Sequence, residues 1–129
     1  MQIQSALFWV PAAMLCALAS AQAHHSTAPY DLIHGTLLRG VVTRFAWENP
    51  HAHVFLDVPG EEGAVEHWTL EAYSPGQLYR LGWSKDTLKP GDSITVMGSR
   101  ARDGTYKLRL VYVEFPDGRK LMALPDAEK

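Results

Sequence analysis

The sequence predicts an all-β domain of five strands with one short helix between the third and the fourth. Three observations carry that prediction. Apolar and polar residues alternate over five separate segments after residue 35, the period of a half-buried strand. The segments are parted by clusters rich in Pro, Gly and acidic residues, such as Pro59-Gly60-Glu61-Glu62-Gly63 and Lys89-Pro90-Gly91-Asp92, which close turns. One stretch, Ser74 to Gly82, abandons the alternation for helix start and stop signals.

Thr36 to Trp47 opens the domain. Leu37, Val41, Phe45 and Trp47 run broadly out of phase with Arg39 and Arg44, and Val42 adds apolar weight on the second face, so this is a long, partly two-sided strand. Glu48-Asn49-Pro50 interrupts it, because proline has no N–H for a ladder and pushes Asn49 toward an extended or turn conformation. A second strand is expected from about His51 to Val58 and a third from Val65 to Ala72. Ser74 then fits a helix N-cap with Pro75 at the first helical position, Leu78 and Leu81 share a short face, and Gly82 is the stop. Ser93 to Met97 resumes the alternation as the fourth strand. Arg102-Asp103-Gly104 closes a hairpin into a long fifth strand, Tyr106 to Phe115, and a Pro116-Asp117-Gly118 turn leads to a charged tail. Three strands, a helix and two strands is the order of the OB-fold, a small five-stranded Greek-key barrel. An up-and-down meander or a small open sandwich remains compatible with the same segments.

The N-terminal part has a different character. Ala6 to Ala19 is almost wholly apolar, too short for a comfortable membrane span of ~20 residues, and it runs into small residues. Three overlapping A-x-A triplets end at Ala19, Ala21 and Ala23, the pattern that signal peptidase reads, although the preceding Met-Gln-Ile-Gln-Ser carries no Lys or Arg. We therefore expect a signal peptide over 1–23, a mature N-terminal segment over 24–35, the barrel over 36–124 and a tail over 125–129. The protein would be periplasmic or secreted, with no membrane span after processing.

Composition then bounds the mature domain. About a hundred residues suffice for one core. The only cysteine, Cys16, falls in the apolar leader, so the expected mature chain has no disulfide and no thiolate for a structural zinc site. A formal net charge of -2 gives no electrostatic case for nucleic acid.

Four motifs carry a resemblance. Ala23-His24-His25-Ser26, Trp47-Glu48-Asn49-Pro50-His51, Ser74-Pro75 with Gly82-Trp83, and Lys89-Pro90-Gly91-Asp92 together resemble an uncharacterised family of small exported bacterial proteins. The resemblance covers nearly the whole mature chain. It implies export and a single compact domain, and it supplies no mechanism.

The histidines are the chemistry-bearing residues. Cleavage after Ala23 would start the chain at His24, so that the α-amine and the His24 and His25 imidazoles share one small volume. Cleavage after Ala21 would place His24 third behind a free amine, a square-planar site for Cu(II) or Ni(II). His51 and His53 stand two apart at the start of the second strand, on one face. If the N-terminal segment folds back over the barrel mouth, all four residues can serve one ion. Nitrogen ligands and the Irving–Williams order favour Cu(II), with nickel or zinc as possible substitutes. Met97 and Met122 stand isolated in the sequence, so no Met-rich Cu(I) site is expected. The expected function is periplasmic copper handling, with a periplasmic protein as a possible partner. The alternative is a metal-free OB-like module whose barrel face binds a protein, a sugar or an envelope ligand.

The remaining candidates have ordinary explanations. His67, next to Trp68, is expected to pack or sit at an edge, and His34 to lie in a linker. Trp47, Trp68, Trp83, Phe55, Tyr73, Tyr79, Tyr106 and Tyr112 suit a stacking groove or, more commonly, a core. Arg100, Arg102, Lys107 and Arg109 are diluted by Asp103, Glu114 and Asp117, which makes a mixed-charge solvated face. No Ser or acid sits in a recognisable nucleophile or acid–base context, and Glu71 beside Tyr73 has no partner visible in the sequence, so no enzymatic activity is assigned.

Overall fold

The computed structural model describes residues 29–124. Six strands are present: β1 (Tyr30–Ala46), β2 (His53–Pro59), β3 (Val65–Glu71), β4 (Ser93–Ala101), β5 (Lys107–Glu114) and β6 (Lys120–Met122). One α-helix, α1 (Pro75–Arg80), lies between β3 and β4. Antiparallel pairing joins β3 to β2, β2 to β1, β1 to β4 and β4 to β5, and a parallel pairing of β3 with β5 closes the circuit. The result is the expected five-stranded barrel, with β6 added outside it on β5.

β1 makes closure possible because it serves two neighbours. Its first part pairs with β4, from Gly35↔Ser99 to Val41↔Ser93, and its last part pairs with β2, from Val41↔Asp57 to Ala46↔His53. The handover falls at Gly40, where a β-carbon would stand 2.3 Å from the Asp57 carbonyl oxygen. Only glycine lets the two backbones approach so closely. A register shift between Val42 and Arg44 then bends the strand onward.

Alternation fills the interior. Val54, Leu56 and Val58 of β2, Trp68 and Leu70 of β3, Ile94 and Val96 of β4, and Leu108 and Leu110 of β5 are all buried. In β5 the inward phase then jumps to Val113, because the ladder with β4 shifts between Met97 and Gly98 and leaves Val111 as the extra residue. Leu78 of α1, Trp83 and Leu88 complete the core. The helix starts as expected: Ser74 Oγ accepts the Gln77 amide at 3.4 Å while Gln77 Oε1 accepts the Ser74 amide at 3.3 Å, a reciprocal cap. Gly82, with φ at +91°, follows its C-cap. Among the described residues the buried set contains no polar or charged residue, so any ligand chemistry belongs to the outer face.

Three boundaries differ from the sequence expectation. β1 begins at Tyr30 rather than Thr36, β4 runs past Met97 to Ala101, and β6 lies within the stretch read as charged tail. Ahead of the register shift at Val42/Arg44 the inward phase of β1 is also opposite to the expected one, whereas beyond it Phe45 and Trp47 pack against the core. Gly40 and Val42 face the core, while Leu37, Arg39 and Val41 face out. The reason is the close approach at Gly40, which aligns the even-numbered positions with the interior whatever the apolar weight of the odd ones.

Candidate functional site

His51 and His53 flank Ala52, and Ala52 determines where they point. Its amide donates to the Tyr73 carbonyl at 3.1 Å, and its carbonyl accepts the Ala72 amide at 2.9 Å, which extends the β2–β3 ladder one step past the start of β2. Ala52 is fully buried. Alternation therefore sends both imidazoles to the outer face, each half-buried. This is the shared face expected from their spacing.

Glu71, at the end of β3 opposite His53, is the hub of the site. Its Oε1 lies 3.1 Å from His51 Nδ1, and its Oε2 accepts the Tyr30 hydroxyl at 2.9 Å. Across the parallel pairing Glu71 is in register with Arg109, whose Nη2 reaches the Tyr73 hydroxyl at 3.4 Å. His51, Glu71, Tyr73 and Arg109 line one shallow recess with Leu110 and Leu124. The second imidazole, His53, has Glu48 Oε1 4.0 Å from its Nδ1. At that distance Glu48 does not hold the His53 ring, whereas the closer Glu71 carboxylate on the Nδ1 side of His51 is the arrangement that orients an imidazole for coordination through Nε2.

Tyr30 ties the start of the described chain to this site. Besides the phenol contact, its carbonyl accepts Arg102 Nε at 3.1 Å, and the Pro29 carbonyl accepts the Arg102 amide at 2.8 Å. Burial, then the hydrogen bond to Glu71, pushes the Tyr30 phenol up to about 12. Because this folded value lies above the unfolded one of ~10, the contact stabilises the fold fully below that pH and is lost as pH rises toward 12. In an ultraviolet phenolate titration of the folded protein the Tyr30 step should therefore lie well above the ordinary phenol value of ~10. Glu71→Gln should bring that step down, and Tyr30→Phe should remove it. A folded protein with no phenolate step above the ordinary range would contradict the contact.

Neither His67 nor His34 joins the site. His67 pairs with Asp57 at 2.6 Å and stands opposite it on the exposed face of β3. Four positions along β2 from His53, that pair is about 13 Å away. His34 belongs to β1 rather than to a linker, and its Nδ1 lies 2.9 Å from Asp31 Oδ2. His24 and His25, the expected signal peptide and the tail over 125–129 lie outside the described residues. Among the described residues no group of three or more His, Cys, Asp or Glu side chains is placed to hold a metal ion by itself.

The aromatics divide by face. Trp68 and Trp83 are core, with Trp68 Nε1 donating to Glu66 Oε2 at 2.9 Å. Phe55 lies under Arg44, 3.9 Å from guanidinium carbon to ring centre, and Tyr112 beside Lys120 at 4.9 Å. Arg100 and Arg109 pair with Trp68 and Tyr73, so the basic residues near the last hairpin are distributed over separate rings. Met97 and Met122, isolated in sequence, both lie in one cross-strand row with Tyr112 between them.

Sequence reasoning weighed Glu71 only as an acid without a partner, and passed over Tyr30. A signal for the first existed: counting outward from the Pro59–Val65 turn puts Glu71 opposite His53. Tyr30 carried no such signal, since it reaches Glu71 across 41 positions of chain.

No curated protein matches the chain. Residues 12–108 match DUF6152, a family of unknown function, and with most of its length inside that match the chain belongs to this family.

Proposed function

We propose that the protein is an exported Cu(II)-binding protein of periplasmic metal handling. Its ligands are the imidazoles of His51 and His53 together with His24, His25 and the processed α-amine. The observation that supports this reading is Glu71, which joins His51 at 3.1 Å to Tyr30 at 2.9 Å. One carboxylate thereby orients an imidazole and anchors the N-terminal segment beside it.

The tether is short. His25 precedes Tyr30 by five residues, so even a fully extended chain spans no more than about 18 Å between them. Two imidazoles alone do not complete a copper site, and a segment bearing two more and an amine is attached at the same carboxylate. Nitrogen donors of this kind place Cu(II) above nickel and zinc.

The test uses untagged protein exported by a bacterial host and purified without chelating resin. Intact mass should give a chain starting at His24 or Gln22. Added Cu(II) should raise the melting temperature, since an ion that binds only the native state adds RT ln(1 + [L]/Kd) to its stability. His51→Ala with His53→Ala should abolish the rise, and a residue added before the mature terminus should reduce it. Correct processing with no copper taken up on titration would overturn the proposal and leave a metal-free binding module.

A further inference from the structure

The first part of β1 has one unpaired side. β4 pairs with it at Tyr30↔Ala101 and, after a register shift that bulges residues 31–34 out of the ladder, from Gly35 to Val41, but the β1–β2 ladder stops at Val41↔Asp57. On the side away from β4, no described strand pairs with Tyr30–Gly40. Apolar side chains are exposed along this stretch: Ile33 is 81% exposed, Leu37 57% and Leu32 55%. A strand edge with exposed apolar groups is a template for another strand.

The sequence along that edge is complementary to itself. Alternate positions read Asp31, Ile33, Gly35, Leu37 and Arg39. Run antiparallel against a second copy about a two-fold axis at Gly35, they place Asp31 opposite Arg39, Ile33 opposite Leu37 and Gly35 opposite itself. The intervening positions place Leu32 opposite Leu38. Opposite charges meet at both ends and apolar groups between them, as cross-strand pairing favours.

We propose that this edge is the interface of a two-fold dimer, in which the β1 strands of two copies pair antiparallel about Gly35. Within one chain Asp31 Oδ1 accepts the Ile33 and His34 amides at 3.0 and 3.3 Å, and Arg39 Nε reaches Thr95 Oγ1 at 3.4 Å. On pairing, residues 31–34 straighten out of their bulge, the carboxylate turns to Arg39 of the second copy and the Ile33 amide enters the ladder. A two-fold contact is isologous, so every pair occurs twice.

Sedimentation velocity over a concentration series, without metal, reads the outcome independently of the copper proposal. Wild-type protein should dimerise. Arg39→Asp and Asp31→Arg should each raise the dimer Kd at least about tenfold, because each brings like charges together twice. An equimolar mixture of these two variants should dimerise again, since Asp meets Arg at both ends only in the mixed pair. Leu37→Lys should weaken the dimer without rescue by either variant. Circular dichroism confirms that each variant is folded before it is compared. Wild-type protein that stays monomeric at all concentrations would overturn the proposal, because a bulge and charges also serve to blunt an edge. A dimer indifferent to both charge changes, or a mixture no tighter than its components, would overturn it equally.

Discussion

Trp83→Ala should cost about 3–5 kcal/mol, the largest effect expected of any single substitution in this chain. The indole is 1% exposed and belongs to the main core cluster. It lies one residue after the positive-φ Gly82, its amide donates to the Leu78 carbonyl at 3.1 Å, and its ring centre is 6.0 Å from that of Phe45 on β1. Its Nε1 donates to the Met122 carbonyl at 2.8 Å, which ties β6 to the core. One side chain thus holds the helical connection, the long first strand and the last strand together. Truncation leaves a large cavity, because the backbone around it is fixed by ladder and helix hydrogen bonds and cannot collapse inward.

At about 4–8 °C per kcal/mol for a domain of this size, the melting temperature should fall by roughly 12–40 °C. Trp83→Phe separates the two contributions. It keeps most of the apolar volume but leaves the Met122 carbonyl without its indole donor, and should cost about 1–3 kcal/mol. Thermal and urea unfolding of both variants measure this. A Trp83→Ala variant melting within a few degrees of wild type would mean that the helical connection is not held by this residue.

The local signals in the sequence were strong where structure is local. The turn at Lys89-Pro90-Gly91-Asp92 forms as its composition dictates, with the Lys89 amide donating to Asp92 Oδ2 at 2.8 Å and Gly91 at a φ of +95°. Ser74-Pro75 caps a helix, and the order of strands around it gives the barrel. The parallel β3–β5 pairing that closes the barrel has no local signature. It joins Thr69 to Lys107 and Glu71 to Arg109 across some forty residues of chain, and follows only once the whole circuit is assembled. The start of β1 was missed for a related reason. Asp31, His34 and Gly35 have loop composition, yet the Arg102 amide and β4 hold this stretch as a strand.

The candidate site divides in the same way. Two-residue spacing in a strand is enough to place His51 and His53 on one face, because alternation is a property of the backbone. What orients the His51 ring comes from elsewhere: Glu71 from the far strand of the hairpin, itself held by Tyr30 from the strand that crosses to β4. Side-chain hydrogen bonds between distant segments depend on register, and register depends here on a glycine at Gly40 and a bulge at Val42/Arg44.

Glu71→Gln should weaken Cu(II) binding about ten- to a hundredfold, the usual cost of losing a carboxylate behind a metal-bound imidazole. Glu71 is a positioning residue in this reading, since it acts through His51 rather than touching the ion. The amide keeps the size of the side chain but gives up the negative charge that favours a proton on His51 Nδ1 and makes Nε2 the stronger donor. It also weakens the acceptor for Tyr30, and so loosens the anchor of the segment that carries His24 and His25. Tyr30→Phe removes the anchor alone. Competitive titration against a chelator of known affinity should therefore rank wild type tightest, Tyr30→Phe next, Glu71→Gln weaker and His51→Ala weakest. Glu71→Asp, which restores the charge on a shorter arm, should recover part of the loss. An unchanged affinity in Glu71→Gln, with His51→Ala still defective, would mean that the imidazole binds copper without help from the carboxylate. Equal affinities across the whole series would remove His51 from the site.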